Sequence, residues 1–351
     1  MRLIVFLLPL VLYFLAELFA GAAVAMCVGV VTSVVMAIVE SRRGGRRIDY
    51  VSLGVDILLI VAFGVSDIYI DTIDEHLRPV VMSGLLVVLL AFSLIPRFDL
   101  LGGFSEKLNP STSKNPYLRY LIVGSQRRML VWAAVAFALY LYAYMQPDTH
   151  AARWIDSYLI ITMMLAYLAT EIVMARIRRR KYSKCEWVMM VDEEGNPTGG
   201  CPRPLVHNGS KWLHAVVHLH VVSGGRLLLQ LRPKTKKIQG GKWDTAVGGH
   251  VSAGEKLETA LARETAEEIG LTQFDAKLVG RYVWRSEVES EYVFQFVTQS
   301  SGPFNPQNVG EVDELKFWTH AELESALGKG VLTPNLENEL KAGLLDTLKN
   351  Y

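Results

Sequence analysis

Gly249-His250-Val251-Ser252-Ala253-Gly254-Glu255, followed after Lys256–Ala262 by Arg263-Glu264-Thr265-Ala266-Glu267-Glu268-Ile269-Gly270-Leu271, decides how the C-terminal half of this chain is read. The run from Glu255 to Ile269 predicts an amphipathic helix. Leu257, Ala260, Leu261 and Ile269 form its apolar stripe, and Gly270 is placed to end it as a left-handed cap. Glu264, Glu267 and Glu268 stand at i, i+3 and i+4, so three carboxylates share one face within about 5–6 Å. Carboxylates at that density repel unless a cation sits among them. Hard oxygen ligands suit Mg²⁺ or Mn²⁺, which keep several waters and bind substrate phosphates. Arg263 lies four residues before Glu267 and can also reach back to Glu255, tying loop to helix. A solvated Glu-rich face would account for the three acids alone. It does not account for the fixed order of Gly, Glu, Arg-Glu, Glu-Glu and Gly.

Around this segment the sequence reads as a mixed sheet flanked by helices. Strands are expected at 186–191, 214–222, 226–232, 276–285, 291–298 and 313–318, with a turn at Asp192–Asn196 and a hairpin at Ser223-Gly224-Gly225. Helices are expected at 321–328 and 335–349. Thr319 with Glu322 makes a capping box, and Thr333 before Pro334 makes an N-cap with proline at the first helical position.

The ordered segment resembles the Nudix box, G-x5-E-x7-R-E-U-x-E-E-x-G-U, at every fixed position, with Thr265 where a bulky aliphatic is usual. Threonine keeps the branched shape. The resemblance covers roughly 184–351 and implies an α/β domain in which water attacks a diphosphate. It implies Glu264, Glu267 and Glu268 as metal ligands, with Glu264 a ligand or general base. Glu255 would be a supporting or bridging carboxylate and Arg263 an orienting partner. The Gly248 and Gly249 carbonyls would complete the metal sphere. A further acid outside the box often serves as base in such domains, and Glu314 or Glu311 is the candidate. Arg232, Lys242 and His250 are candidates for gripping the diphosphate, and Trp243, Trp284 and Tyr282 for stacking or lining an apolar pocket.

Within that family the chain is similar to hydrolases related to isopentenyl-diphosphate isomerase. The shared features are Val191-Asp192-Glu193-x-Gly195, His207-Asn208-Gly209, Leu213-His214 and Leu228-x-Gln230-x-Arg232…Lys236…Gly241-Lys242-Trp243-Asp244. The isomerase uses a cysteine just after the tryptophan segment. Asp244–Gly249 has none, which favours hydrolysis. His207, His214, His218 and His220 invite a metal reading, because three histidines serve the isomerase's site; structural or sheet-surface histidines are the simpler expectation.

The first half has a different solvent character. The chain is 51% hydrophobic and 20% charged, and the apolar excess is concentrated in residues 1–175. Apolar segments at 3–19, 22–40, 51–69, 79–95, 129–146 and 155–175 are each roughly 17–21 residues, long enough to cross a bilayer. They predict a membrane α-helical bundle of five or six spans, because the first two segments are nearly continuous. Arg2 and Leu3–Leu15 resemble a signal peptide, but the apolar segment that follows at once argues for retention.

Arg42, Arg43, Arg46 and Arg47, the basic 97–128 stretch, and Arg176–Lys184 contrast with the acidic 70–78 and weakly charged 147–154 loops. That bias places 41–50, 97–128 and everything beyond 176 in the cytoplasm, as in a multi-pass bacterial-type inner-membrane protein. The expected organisation is a polytopic domain at 1–175, a basic linker at 176–185 and the hydrolase domain at 186–351. Glu17, Asp56, Asp67, Asp156 and Glu171 are the candidate acids for a transport path; helix-end or hydrogen-bonded contacts are the expectation.

Residues 1–180 are similar to the intracellular septation protein A family in Phe6–Leu10, in segment spacing and in the basic loop after the second segment. That similarity implies a role in envelope maintenance and division. The expected partners are a small-molecule diphosphate, the lipid bilayer, and a division-machinery protein or a second copy of the chain. A net charge of +1 gives no field for nucleic acid. Cys27, Cys185 and Cys201 show no zinc spacing and are expected as free thiols. The competing reading is a division scaffold or transporter-like protein whose C-terminal domain is an accessory or ligand-sensing module.

Overall fold

The structure, a computed structural model, describes residues 19–44, 50–65, 76–95, 114–236, 238–306 and 312–347, with a few isolated positions between them. The chain divides into two compact units, Met1–Lys181 and Tyr182–Tyr351.

The first unit is helical: α1 Ala22–Gly44, α2 Tyr50–Val65, α3 Leu77–Ser93, α4 Pro116–Met145 and α5 His150–Lys181. Three of the described helices are long and apolar enough to cross a membrane: Ala22–Val39 within α1, then α4 and α5; the apolar α3 is shorter. Most of the expected segment at 3–19 lies outside the described residues. Helix α4 begins well before the expected 129, because Asn115 caps it. Its side chain accepts from the amides of Tyr117 (2.9 Å) and Leu118 (3.3 Å), and Pro116 follows at the first helical position. The basic residues Arg176–Lys181, expected in a linker, instead form the last turns of α5. Arginine and lysine are good helix formers, and their charge suits a helix C-terminus. Glu171 makes a hydrogen-bonded contact of the kind expected. Arg128 on α4 grips it with Nε at 2.6 Å and Nη2 at 2.9 Å, beside Ser125–Tyr167 (2.7 Å) and Trp132–Thr170 (3.2 Å).

The second unit is built on β3 and β8. Its elements are β1 Trp187–Val191, β2 Pro197–Pro202, α6 Arg203–Val206, β3 Leu213–Ser223, β4 Arg226–Leu231, β5 Trp243–Thr245, β6 Val247–His250, α7 Leu257–Ile269, β7 Lys277–Arg285, β8 Ser290–Gln299, β9 Glu314–Trp318, α8 His320–Ala326 and α9 Pro334–Glu339. Strands β3 and β8 run parallel from Leu213↔Ser290 to Val222↔Gln299. Around them the pairings are antiparallel: β1, β4 and β6 on β3, β7 on β8, and β5 and β9 on β4.

Alternation along the strands divides the core. The pair Val221↔Leu228 belongs to a cluster with Val217, Leu219, Ala260, Leu261, Ile269 and Phe294, beneath α7. The neighbouring pair Val222↔Leu227 belongs to another, with Trp318, Leu323, Leu332 and Leu336, beneath α8 and α9. Burying each Leu or Phe contributes about 1.5–3 kcal/mol. The sheet therefore has apolar layers on both faces, and the polar groups inside it stand out.

The expected caps are present. The Thr319 side chain accepts from the Glu322 amide while Glu322 accepts from the Thr319 amide, and Thr333 accepts from the Leu336 amide with Pro334 next to it. The last helix is shorter than expected. It ends at Glu339 and passes into a wider turn, with Gly343 at a φ of 114°. The short strands β2, β5 and β6 were not legible, because Gly-, Pro- and Asp-containing segments of that length carry no periodicity.

Candidate active site

The box helix α7 begins two residues later than expected, because Glu255 is spent on the preceding loop. Its Oε2 accepts from the Ser252 amide at 2.9 Å, and Lys256 is extended. Arg263 then makes the tie that the spacing predicts. Its Nε and Nη2 donate to the two oxygens of Glu255 at 3.1 and 3.0 Å. Nη1 donates to Glu264 at 2.7 Å, and Nη2 also donates to the His250 carbonyl at 3.1 Å. One guanidinium thus fastens loop, strand end and helix together. Beside Arg263 the Glu255 carboxyl is held below its ordinary range. Glu255 therefore buttresses the loop and does not line the cleft.

Gly270 ends the helix as predicted, at a φ of 72°, with its amide on the Ala266 carbonyl. Thr265, the one departure from the box pattern, is fully buried and returns its hydroxyl to the Leu261 carbonyl at 2.6 Å. This is why a hydroxyl is tolerated there.

Glu264, Glu267 and Glu268 all line one cleft of about 610 Å³. Glu264 is buried against β6. Burial raises its carboxyl above the ordinary range, against the pull of Arg263. Glu268 is buried too, and its Oε2 accepts from the Gln230 amide at 2.9 Å and the Gly248 amide at 3.0 Å. Glu267 is half-exposed, 3.9 Å from Arg263. Gly249 stands where a side chain has no room, because an added Cβ would fall on the Glu264 carboxyl. Gly249→Ala should therefore push Glu264 aside and lower the rate of any metal-dependent hydrolysis by about 10–100-fold without unfolding the chain, as kcat and Tm together would show.

The remaining candidates separate. Arg232 lines the cleft, with Nη1 on Asp244 at 3.0 Å; Lys236 and Trp284 line it as well. Lys242, Trp243 and Glu314 do not. The Lys242 carbonyl accepts from the Arg232 amide, so Lys242 shapes the β4–β5 turn. Glu314 is exposed at the start of β9, opposite Leu231. Glu314→Gln should leave kcat/KM within about twofold, since Glu314 is not among the residues that line the cleft. Glu311 lies outside the described residues. Tyr282 is committed to Asn335 and Glu339.

The four histidines expected together split into two groups; His214, His218 and His220 are buried and His207 is partly exposed. His207 and His214 meet His250, with one ring nitrogen from each within 4.8 Å of the others. His207 Nε2 is 3.1 Å from His250 Nε2, and its Nδ1 is 3.0 Å from Glu289. His214 turns Nδ1 to the Trp212 carbonyl, which leaves its buried Nε2 without a hydrogen-bond partner. Burial lowers His214 to about 4 and His250 well below the usual imidazole range, so both are neutral nitrogen donors. His250 is a member of this triad and also lines the cleft. His218 and His220 instead face Glu339 on α9, at 2.8 and 3.2 Å.

Sequence reasoning missed Glu289, Glu291 and Glu339, and gave Gln230 only as part of a shared motif, with no role. Glu291 stands on β8 opposite His214 and lines the cleft, and burial raises its carboxyl to about 8. Its signal was available: an acid at a strand position otherwise filled by Tyr, Val and Phe.

Comparison with known proteins locates a NUDIX domain at residues 212–336. An uncharacterised Nudix hydrolase of Rhodococcus erythropolis is 31% identical over 152 residues, covering 40% of this chain and 82% of that protein. A second, from Pseudomonas aeruginosa, is 30% identical over 138 residues, 39% of this chain and 81% of that protein. An isopentenyl-diphosphate Delta-isomerase of Brevibacterium linens is 32% identical over 149 residues, 40% of this chain and 81% of that protein. The relatives are matched over most of their own length, and the chain accordingly belongs to the Nudix hydrolases, which act on pyrophosphate bonds.

Proposed function

We propose that the C-terminal unit hydrolyses a nucleoside- or other X-linked diphosphate with the help of Mg²⁺, on the cytoplasmic side of a bacterial-type inner membrane. The observation that carries the reading is the Arg263 hub. It fixes Glu264 beside Gly249, on a helix whose Glu267 and Glu268 line the same cleft as Arg232 and Lys236.

The residues fit a hard divalent ion. Two buried carboxylates and a half-exposed one converge on a backbone cradle that only glycine leaves open. Glu264, Glu267, Glu268 and the Gly249 carbonyl would hold it. When bound, Mg²⁺ or Mn²⁺ supplies polarisation of phosphoryl oxygens and activation of water. The side chains do the rest. Arg232 and Lys236 bind the diphosphate oxygens, and Arg232 is pre-oriented by Asp244. Glu264, whose carboxyl burial holds above its ordinary range, would serve as a ligand or take the proton of the attacking water. His207, His214 and His250, with Glu289 behind His207, suit a second divalent ion bound by neutral imidazoles.

The isomerase relatives raise prenyl diphosphates as substrates. Isomerisation itself is disfavoured, since Gly248 and Gly249 occupy the segment where a thiol would be needed. For the first half, a bundle of five or six spans is the reading that hydropathy and loop charge support, with the unit from Tyr182 onward as its cytoplasmic domain. Similarity to the septation family makes an envelope or division protein its natural partner. The test is direct. The full-length protein in detergent, with Mg²⁺, is given nucleoside, dinucleotide, sugar and prenyl diphosphates, and released phosphate or pyrophosphate is measured. Turnover that EDTA abolishes is expected; no turnover on any member of the panel would overturn the reading.

A further inference from the structure

Strand β4 is apolar over Leu227, Leu228 and Leu229, yet places a carboxamide next on its line. Gln230 is only 3% exposed and shares its side of the strand with Leu228, which packs in the core beneath α7. A buried carboxamide in such a place is costly unless it is hydrogen-bonded. Its Nε2 donates to Glu268 Oε2 at 2.9 Å, and the Gly248 amide donates to the same oxygen at 3.0 Å. The two donors come from different strands, β4 and β6, while Glu268 comes from α7. Two N–H groups on one oxygen fix the carboxylate's plane in a way that neither donor does alone. Both donors are neutral and cannot lose their protons, so the arrangement serves an acceptor oxygen at every ordinary pH.

We infer that Gln230 is a positioning residue for the metal-binding carboxylate of Glu268. It acts by clamping Oε2, so that the carboxylate is presented to the cleft in one orientation. The inference rests on the proposed Mg²⁺ site. It predicts that a residue from a strand outside the box sets the metal affinity of the box helix, an effect of about 10–100-fold for hydrogen-bond partners of metal ligands.

The probe is Mn²⁺, titrated against the full-length protein in detergent and followed by the electron paramagnetic resonance signal of the free ion. Binding present in the wild type and lost in Glu268→Gln defines the carboxylate site and separates it from the histidine triad. Gln230→Met keeps the length and apolar fit of the side chain but removes the donor. At least threefold weaker Mn²⁺ binding at that site, with Tm within a few degrees of wild type, is the expected result; affinity within threefold overturns the inference. Should Gln230→Met unfold, Gln230→Leu also removes the donor without adding a charge, and the same thresholds apply. If both variants lose more than roughly 10 °C of Tm, Gln230 is a core residue and the inference fails. If wild type and Glu268→Gln bind Mn²⁺ alike, it is the metal site itself that fails.

Discussion

Glu268→Gln should lower the rate of diphosphate hydrolysis by roughly a thousandfold while leaving the fold intact. The substitution is close to isosteric, so the packing of α7, through Ala260 and Leu261, against Val217 and Leu219 survives. What it changes is the charge and the donor pattern. Glu268 Oε2 accepts from both Gln230 and Gly248. A carboxamide can still accept there with its oxygen, but its other end becomes a donor with no charge to offer a cation. Metal ions supply several kcal/mol of charge stabilisation in such reactions, and each 1.36 kcal/mol is about tenfold in rate. The check is kcat at saturating Mg²⁺ together with Tm. A variant that keeps more than a tenth of the wild-type kcat would move the essential metal away from Glu268, with the histidine triad the next place to look.

The C-terminal fold and its site were unevenly legible, and the difference has a physical reason. The box helix, its Gly270 stop and the Arg263–Glu255 tie could be read because local rules govern them: helical spacing, a left-handed cap and a short loop between the partners. The caps at Thr319 and Thr333 were readable for the same reason. Pairings across long sequence separations were not. Nothing local says that Glu339 reaches His218 at a separation of 121, or that Gln230 reaches Glu268 from another strand. The parity of β3 did place His214, His218 and His220 on one side. It could not say that they would be buried and would find different partners, because that depends on α9 and on β6 arriving from elsewhere in the chain. Glu314 is a case of the same kind: an acid near a strand start is common, and its place opposite Leu231, outside the cleft lining, depends on the pairing of β9 with β4.

Loss of the Glu339 carboxylate should be the most destabilising single change in the C-terminal unit, because Glu339 is charged at the centre of a buried polar group. It is 2% exposed; its Oε1 accepts from His218 at 2.8 Å and from the Tyr282 hydroxyl at 2.6 Å. Its Oε2 lies 3.2 Å from His220 Nε2, within ion-pair range but without the alignment of a hydrogen bond. Burial alone would raise the Glu339 carboxyl, but the two histidines hold it well below the ordinary range. Burial likewise lowers His218, and Glu339 outweighs it, bringing the imidazole up to about 9. Removing one member of a buried pair costs about 3–5 kcal/mol. Glu339→Leu should therefore lower the Tm of this unit by about 10 °C, read by near-ultraviolet circular dichroism.

The pH dependence has a definite sign. His218 has a folded pKa above its unfolded value of 6.5, so its stabilisation is complete below about 6.5 and is lost as pH rises through about 9. Glu291, raised from 4.5 to about 8, acts in the same direction: the fold favours its protonated form, and that preference weakens stability as pH rises through 8. Wild-type Tm should accordingly fall between pH 7 and 9.5, and Glu339→Leu should fall less steeply because its His218 no longer gains a proton on folding. A wild-type Tm that stays level across that window would mean that His218 is neutral beside Glu339, and the large cost expected for Glu339→Leu would then have to come from packing alone.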